Sequence, residues 1–335
     1  MRDINRENIL HYTDNRRNLD GLIPHLRENY VRVIKDESIA GDAPKLFIRI
    51  YKYGKARKSN SKKWPAYIAK VGHKWYPNES ITEQLFTELG HLYGLNIADS
   101  KLAIASGQLR FLSKFFLKPD EQLIHGAQIY ASYLSDDDLS FVEEVENNDL
   151  SRDLFTLSFA LKAIKHSFPN YFESFFCDFL EMLTFDAITG NNDRHFYNWG
   201  VIMNIKDNQA PYFSPIYDTA RGLFWNYSDK KLKQVTVNKQ TKNSHIKTYC
   251  EKSKPKIGIE NKTNLNHFDL IHETIRRFPG YKNCIIKVIN KACSVSEMKL
   301  IEDEFRYLIS KRRGNLILEC LNYRKEKLKT IINQV

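Results

Sequence analysis

Residues 190 to 218 read Gly-Asn-Asn-Asp-Arg-His-Phe-Tyr-Asn-Trp-Gly-Val-Ile, a short polar stretch, and then Ser-Pro-Ile-Tyr-Asp. Asp193 stands five residues ahead of Asn198, and a second aspartate, Asp218, returns after the intervening stretch. An aspartate, an amide and an aspartate in that order suit phosphoryl transfer. That reaction needs one group to accept or orient the proton of the attacking hydroxyl, and a divalent cation to neutralise a polyphosphate. Mg²⁺ prefers near-octahedral oxygen ligands and keeps several waters, so a protein supplies only an amide oxygen and one or two carboxylates. Asp193 is the candidate base, and Asn198 and Asp218 are the candidate Mg²⁺ ligands. Taken singly, Asn-Asn-Asp and Tyr-Asp-Thr are ordinary turn and cap sequences. Their order, with strand-like residues between them, favours the chemical reading. His195 either orients Asp193, touches a nucleotide, or satisfies backbone groups of its own loop.

These side chains need elements to bring them together. Short apolar runs at Trp199 to Met203 and Pro211 to Phe213 flank Ile205-Lys206-Asp207-Asn208-Gln209, which predicts a hairpin that returns Asp218 to the neighbourhood of Asn198. A helical pattern over Tyr171 to Ile188, ending near Gly190, predicts a rigid support for the Asp193 loop. Phe168, Tyr171, Phe172, Phe175, Phe176 and Phe179 read as its core-facing aromatics.

A second informative segment is Ala66-Tyr67-Ile68-Ala69-Lys70. A lysine closing an apolar strand is costly unless its ammonium meets an anion, and kinases place such a lysine on nucleotide phosphates, steadied by a helix glutamate. The candidate partner of Lys70 is Glu83. Ser80-Ile-Thr-Glu83 is also a capping-box pattern, which competes for that carboxylate and leaves Glu79 or Glu88 as substitutes. Before Lys70, the polar and basic segment from Gly54 to Trp64 sits where kinases carry a phosphate-covering loop, though with one glycine. Its Ser59 and Ser61 are candidate self-phosphorylation sites; the alternative is a solvated turn.

The wider pattern divides the chain. Runs at Tyr30 to Ile34, Leu46 to Tyr53, Ala66 to Val71, Leu102 to Ala105 and Leu109 to Leu117 predict strands, interrupted by one helix from Ser80 that Gly94 stops. After Pro119 the periodicity is helical: Asp153 to His166, Tyr171 to Ile188, Leu265 to Phe278, a capped helix from Ser294 that Gly314 ends, and Leu316 to Ile332. The expectation is an α+β, two-lobed kinase-like fold, with a β-rich nucleotide-covering lobe over 1–118 and a helical catalytic lobe over 119–335. At 335 residues and 42% hydrophobic content, the chain can bury the core that two lobes require.

Net charge is +11, unevenly placed. Residues 229 to 256 hold nine lysines against Asp229 and Glu251, whereas 136 to 153 hold eight acids against Arg152. The lysine-rich stretch is either a solvated loop or a surface for an acidic protein, a nucleic acid or nucleotide phosphates. The five scattered cysteines, Cys177, Cys250, Cys284, Cys293 and Cys320, lack zinc-site spacing and read as reduced thiols. A charged start without an apolar core, and the absence of a membrane-length apolar run, suggest a cytoplasmic protein, with leaderless export as an effector the alternative.

Ile-Thr-Gly-Asn-Asn-Asp193-Arg-His195-Phe-Tyr-Asn198-Trp-Gly with Ser-Pro-Ile-Tyr217-Asp218 closely resembles the HipA-like serine/threonine kinases of bacteria. The resemblance extends to Tyr67-Ile-Ala-Lys70, to Glu83 and, more loosely, to Leu112-Ser-Lys114-Phe115-Phe116, covering roughly residues 46 to 225. It implies ATP and Mg²⁺ as cofactors, Asp193 as base, Asn198 and Asp218 as metal ligands and Lys70 on the phosphates. It also implies that His195 and Tyr217 line the nucleotide and that Lys114, Phe115 and Phe116 offer hinge backbone groups to adenine. Some members of this family are toxins that phosphorylate aminoacyl-tRNA synthetases and are paired with antitoxins, and others resemble secreted effectors that self-phosphorylate. An antitoxin-like partner and a protein substrate are therefore expected. The glycine-poor loop and the lysine-rich stretch depart from the toxins. Two rivals remain: a metal-dependent phosphodiesterase or nuclease built on Asp193, His195 and Asp218, and a catalytically silent binding module.

Overall fold

Five antiparallel strands in the order β1-β2-β3-β5-β4 form the first sheet. They are β1 (Val31–Val33), β2 (Lys45–Ile50) and β3 (Ala66–Lys70), then, after helix α1 (Asn78–Leu92), β4 (Ser100–Ala105) and β5 (Gln108–Lys114). The computed structural model describes all residues except 1–7, 14–18, 20, 35–43, 138, 207–208, 220, 263 and 335. The chain start that bears on targeting therefore lies mostly outside the described residues, as do Asp207 and Asn208 of the expected hairpin turn.

Side chains alternate across a strand. Ile48, Tyr67, Ala69, Ala103 and Leu112 form a small cluster on one face of the sheet. On the other face, Ile104, Leu109 and Phe111 join Ile81, Leu85 and Leu89 of α1 in the main core. Lys70 is paired in register with Phe111, and so lies on the α1 face.

The capping box expected at Ser80 does not form. The helix starts at Asn78 with Pro77 in the cap position and no side-chain cap. Ser80 Oγ accepts from the Gly72 amide at 3.1 Å instead, and Glu83 turns to Lys70. A missing cap costs about 1 kcal/mol, less than a buried ammonium without its partner. Gly94, at φ +66°, follows the helix as expected.

The second part is mostly helical but opens on a strand that the sequence reading missed. β6 (Glu121–His125) precedes α2 (Gly126–Leu134), α3 (Ser140–Asn147), α4 (Ser151–Leu154), α5 (Leu157–Ser167) and α6 (Phe172–Thr189). The hairpin β7 (Gly200–Asn204) and β8 (Tyr212–Phe213) follows, with Val201 opposite Phe213 as the apolar runs predicted. β6 adds to β7 as a third antiparallel strand, Glu121 opposite Asn204 and His125 opposite Gly200. Its Glu-Gln-Leu-Ile-His sequence has no alternation to announce it.

The remaining helices are α7 (Asp229–Val235), α8 (Lys239–Glu251), α9 (His267–Arg277), α10 (Lys282–Lys291), α11 (Ser294–Leu300) and α12 (Lys311–Gln334). The lysine-rich stretch is thus helical, capped by Ser228 and Asn238. It is neither loop nor tail, because Leu232, Val235, Ile246 and Cys250 give it a buried face. Gly314 does not end a helix; it lies inside α12, where a Cβ would meet Ile301 Cγ2 at 3.1 Å. The break falls instead at a π-helical turn over Ile301–Phe305 and the residues after it.

α6 is buried along most of its length, and Phe168, Phe172, Phe175, Phe176 and Phe179 are core as expected, whereas Tyr171, also expected in the core, is exposed. The expectation of reduced thiols is corrected by a disulfide between Cys177 on α6 and Cys284 on α10. The two helices pack side by side, so residues 107 positions apart meet with Cα atoms at 5.7 Å, a proximity that linear spacing does not encode. Cys250 and Cys320 face each other in the core, their sulfurs 3.5 Å apart. Among the described residues, no helix is long and apolar enough to cross a membrane.

Candidate active site

β2 and β3 pair with Lys45 directly opposite Lys70. Lys70 Nζ donates to Glu83 Oε1 at 2.7 Å and to Asp218 Oδ1 at 2.9 Å, while Lys45 Nζ donates to Asp218 Oδ2 at 3.2 Å. Two strands therefore converge on the Asp218 carboxylate, carried by the segment after the β7–β8 hairpin, and Glu83 of α1 holds Lys70 from the other side. Burial alone would raise the pKa of Asp218, but Lys70 and then Lys45 override it and hold the group well below the usual carboxylate range. Burial opposes the charge on Lys70, yet Asp218 and Glu83 keep its pKa raised. Burial pushes Glu83 up to about 7 against the pull of Lys70. The two alternative glutamates are engaged elsewhere, Glu79 with the Lys74 and Trp75 amides and Glu88 with Gln84. Asp218 itself sits at φ +54°, a left-handed conformation that costs a non-glycine residue about 1 to 3 kcal/mol and recurs at functional sites.

The Asp193 loop leaves α6 through Gly190, at φ +71°, where a Cβ would also meet the Arg324 guanidinium at 2.7 Å. Arg194, next to the candidate base, is 4% exposed and acts as the loop's internal tie. Its Nε and Nη2 donate to Asp186 of α6 at 2.9 and 3.1 Å, and its Nη1 donates to the carbonyls of Asn198 and Tyr217 at 2.7 and 2.8 Å. One guanidinium thus joins the helix, the loop and the residue preceding Asp218. Asn198 Nδ2 donates to the Asp193 carbonyl at 2.9 Å and lies 3.1 Å from His195 Nε2. The Tyr197 amide donates to His195 Nδ1 at 3.3 Å. His195 is therefore tied into its own loop, and burial lowers its pKa. Asp193 Oδ2 lies 3.0 Å from Arg221 Nε. Burial raises the Asp193 pKa, opposed first by Arg221.

Tyr217 donates to the Tyr197 carbonyl at 2.9 Å, lies 3.0 Å from His125 Nδ1, and its ring is 5.7 Å from that of Phe116. The Lys114 amide donates to the Asp99 carbonyl and the Phe115 amide to the Ala66 carbonyl, at 2.8 and 2.9 Å. The Lys114 ammonium meets Asp99 at 2.8 Å in an exposed position. Phe115 packs edge-on against Phe47.

The basic tip over 54–64 is not where the sequence reading put it. Because Lys45 faces Lys70 and Arg49 faces Ala66, the tip joins the strand ends remote from Lys70. Ser59 and Ser61 therefore belong to the connection at the Ala66 end of β3 and not to the end that bears Lys70. The Trp64 indole closes the tip onto the Arg57 carbonyl at 3.1 Å. The end bearing Lys70 is met instead by Pro44, whose carbonyl accepts from the Val71 amide at 3.4 Å.

The structure thus brings Lys70, Glu83 and Asp218 into contact and Asp193, His195 and Asn198 into one loop, with Tyr217 beside Phe116. Sequence reasoning missed Lys45, Arg194 with Asp186, and Arg221. Lys45 had a signal, since it opens the apolar run Lys-Leu-Phe-Ile as Lys70 closes its own. The donor set suits Mg²⁺: one carboxylate, and an amide whose nitrogen is already engaged, so that its oxygen is the atom on offer. Among the described residues, no three His, Cys, Asp or Glu side chains cluster as a self-sufficient metal site. Mg²⁺ does not require one, because phosphate oxygens and waters complete its shell.

Comparison with known proteins bears on the fold and the family. The family model for the HipA-like C-terminal domain matches residues 37–279. The serine/threonine-protein kinase CtkA of Helicobacter pylori is 22% identical over 265 residues, spanning 76% of this chain and 75% of that protein. The crystal structure of a Helicobacter pylori proinflammatory kinase CtkA superposes with a TM-score of 0.70 at 16% identity, over 93% of this chain and 98% of that one. HipA of Shewanella oneidensis MR-1, solved with HipB and operator DNA as a toxin–antitoxin system, superposes with a TM-score of 0.54 at 15% identity, over 93% of this chain and 75% of that one. These likenesses share the β-rich and helical arrangement described above, and the family match spans well over half of the sequence. The chain belongs to the family of the HipA-like C-terminal domain.

Proposed function

We propose that this chain is a HipA-like serine/threonine protein kinase that moves the γ-phosphate of ATP to a protein hydroxyl. The observation that carries the reading is the Lys70 ammonium held between Glu83 and Asp218, 2.7 and 2.9 Å away, beside the loop of Asp193 and Asn198. Its relative CtkA, named a serine/threonine-protein kinase, supports the same activity.

In this mechanism the nucleotide lies between the β-rich part, 1–118, and the helical part, 119–335. Lys70 and Lys45 leave Asp218 to receive phosphate oxygens, and Glu83 keeps Lys70 aimed. Asn198 and Asp218 would hold Mg²⁺, which when bound neutralises charge on the phosphates. Asp193 orients the serine or threonine hydroxyl and takes its proton. Phe116 and Tyr217 frame the purine. Because the Lys114 and Phe115 amides are engaged within the sheet, adenine recognition falls on Phe116. His195 holds the loop rather than the nucleotide.

The test is transfer of labelled γ-phosphate from Mg-ATP to the chain itself or to dephosphorylated casein. Asp193→Asn should lower it at least about a hundredfold while melting as the wild type does, and Lys70→Ala should weaken productive ATP use. Near-wild-type transfer by Asp193→Asn would overturn the reading. A nuclease would degrade nucleic acid without consuming ATP, and a silent module would transfer nothing.

HipA of Shewanella oneidensis is seen with HipB, and we extend that to an antitoxin-like partner for this chain, tested by whether expressing the chain alone arrests growth and co-expressing a neighbouring reading frame restores it; growth unaffected by the chain alone would count against the partner. The exposed lysines of α7 and α8 suit a substrate with an acidic face.

A further inference from the structure

Arg221 lies three residues beyond Asp218, and its side chain and carbonyl both contact the Asp193 loop. Its Nε is 3.0 Å from Asp193 Oδ2, its carbonyl accepts the Asn192 amide at 3.1 Å, and its guanidinium lies 6.0 Å from the centre of the Trp225 ring. The Asp193 side chain is 19% exposed, so its charge is poorly solvated and its partner matters. Four groups face it electrostatically: Arg221, His195, Asp218 and Lys256. Lys256 is paired with Asp149 at 3.2 Å, and His195 is bonded within its loop. Among the described residues, Arg221 is the cation in ion-pair contact with the carboxylate.

We propose that Arg221 is a positioning residue for phosphoryl transfer: it fixes one oxygen of Asp193 and leaves the other to meet the substrate hydroxyl. The inference rests on the reading of Asp193 as base. The terminal torsion of an aspartate is broad, and a carboxylate that swings loses the alignment on which in-line transfer depends. A guanidinium in ion-pair contact with one oxygen, 3.0 Å away, restricts that freedom. The segment that carries the cation ligand Asp218 also carries Arg221, so base orientation and metal position are set by one stretch of backbone. The amide of Asn192, immediately before the base, is bonded to the Arg221 carbonyl, which joins loop and segment by main chain as well as side chain.

The experiment is a double-mutant cycle on purified full-length chain, read as phosphate transfer from Mg-ATP to dephosphorylated casein and to the chain itself. Arg221→Ala should lower kcat about 10- to 100-fold with KM for ATP within about twofold, and Arg221→Lys should recover part of the loss. In an Asp193→Asn background, adding Arg221→Ala should change the residual rate by less than about threefold, because the group it positions is already gone. Losses that multiply in the double variant, or wild-type turnover by Arg221→Ala, would overturn the proposal. Near-wild-type turnover by Asp193→Asn would instead overturn the reading of Asp193 as base. Melting curves of each variant separate lost alignment from lost folding, and Arg221→Lys carries the test if Arg221→Ala is unstable.

Discussion

Lys45 and Lys70 stand directly across from each other on β2 and β3, and both ammoniums reach the carboxylate of Asp218, at 3.2 and 2.9 Å. Like charges opposite one another on neighbouring strands destabilise a sheet; here the anion between them reverses the sign.

That relationship predicts that Asp218 contributes to stability as well as to chemistry. Asp218→Asn should cost about 1 to 3 kcal/mol in urea unfolding, since it leaves two ammoniums facing each other. Adding Lys45→Met should recover part of the stability and none of the phosphate transfer. Equal stability of Asp218→Asn and wild type would mean that the lysines do not share this partner.

Arg194 should tolerate no substitution. Arg194→Ala leaves Asp186, 1% exposed, as a buried carboxylate without its cation, a loss of about 3 to 5 kcal/mol. Arg194→Lys should rescue little, because an ammonium cannot reproduce a planar fork that serves Asp186 and two carbonyls together. Urea titration of both variants checks this, and a lysine variant as stable as the wild type would contradict it.

The disulfide closes a long stretch of chain. Removing it with Cys177→Ser should cost roughly 2 to 4 kcal/mol through the unfolded state. The same shift should appear when wild-type protein is unfolded with dithiothreitol present, and dithiothreitol should leave Cys177→Ser unchanged. A wild-type transition insensitive to the reductant would argue that the bond is absent in solution.

Glu273 gives an acid-side prediction. Hydrogen bonds from Lys262 and Arg276 hold its pKa down to about 2, from an ordinary value of 4.5. For a depressed carboxylate, the stability it adds is complete above the unfolded value and is lost as pH falls through the folded one. Wild-type stability should therefore drop more than that of Glu273→Gln between pH 4.5 and about 2. Parallel curves for the two proteins would remove the assignment.

Much of the candidate site's assembly was legible because its signals are local. The spacing of Asp193, Asn198 and Asp218, the hairpin between them and the lysine closing an apolar strand are each contained in a short window. What the sequence hid depends on contacts between distant segments. Glu83 looked like a cap because Ser80 precedes it by three residues; only the folded sheet shows the ammonium that claims it. The basic tip resembled a phosphate loop until strand register put it at the far end of β3. Cys177 and Cys284 carry no spacing signal, and β6 pairs with a strand far along the chain.

The four bonds of Arg194 have a practical corollary for anyone transplanting this chemistry. The short signature from Asp193 to Asn198 is not a portable cassette, since its shape is stored partly in Asp186, in the last turn of α6, and in the main chain at Tyr217. A graft that omits either would inherit the reactive letters without their spatial grammar, and surveys that score the signature alone would count inert imitations as enzymes.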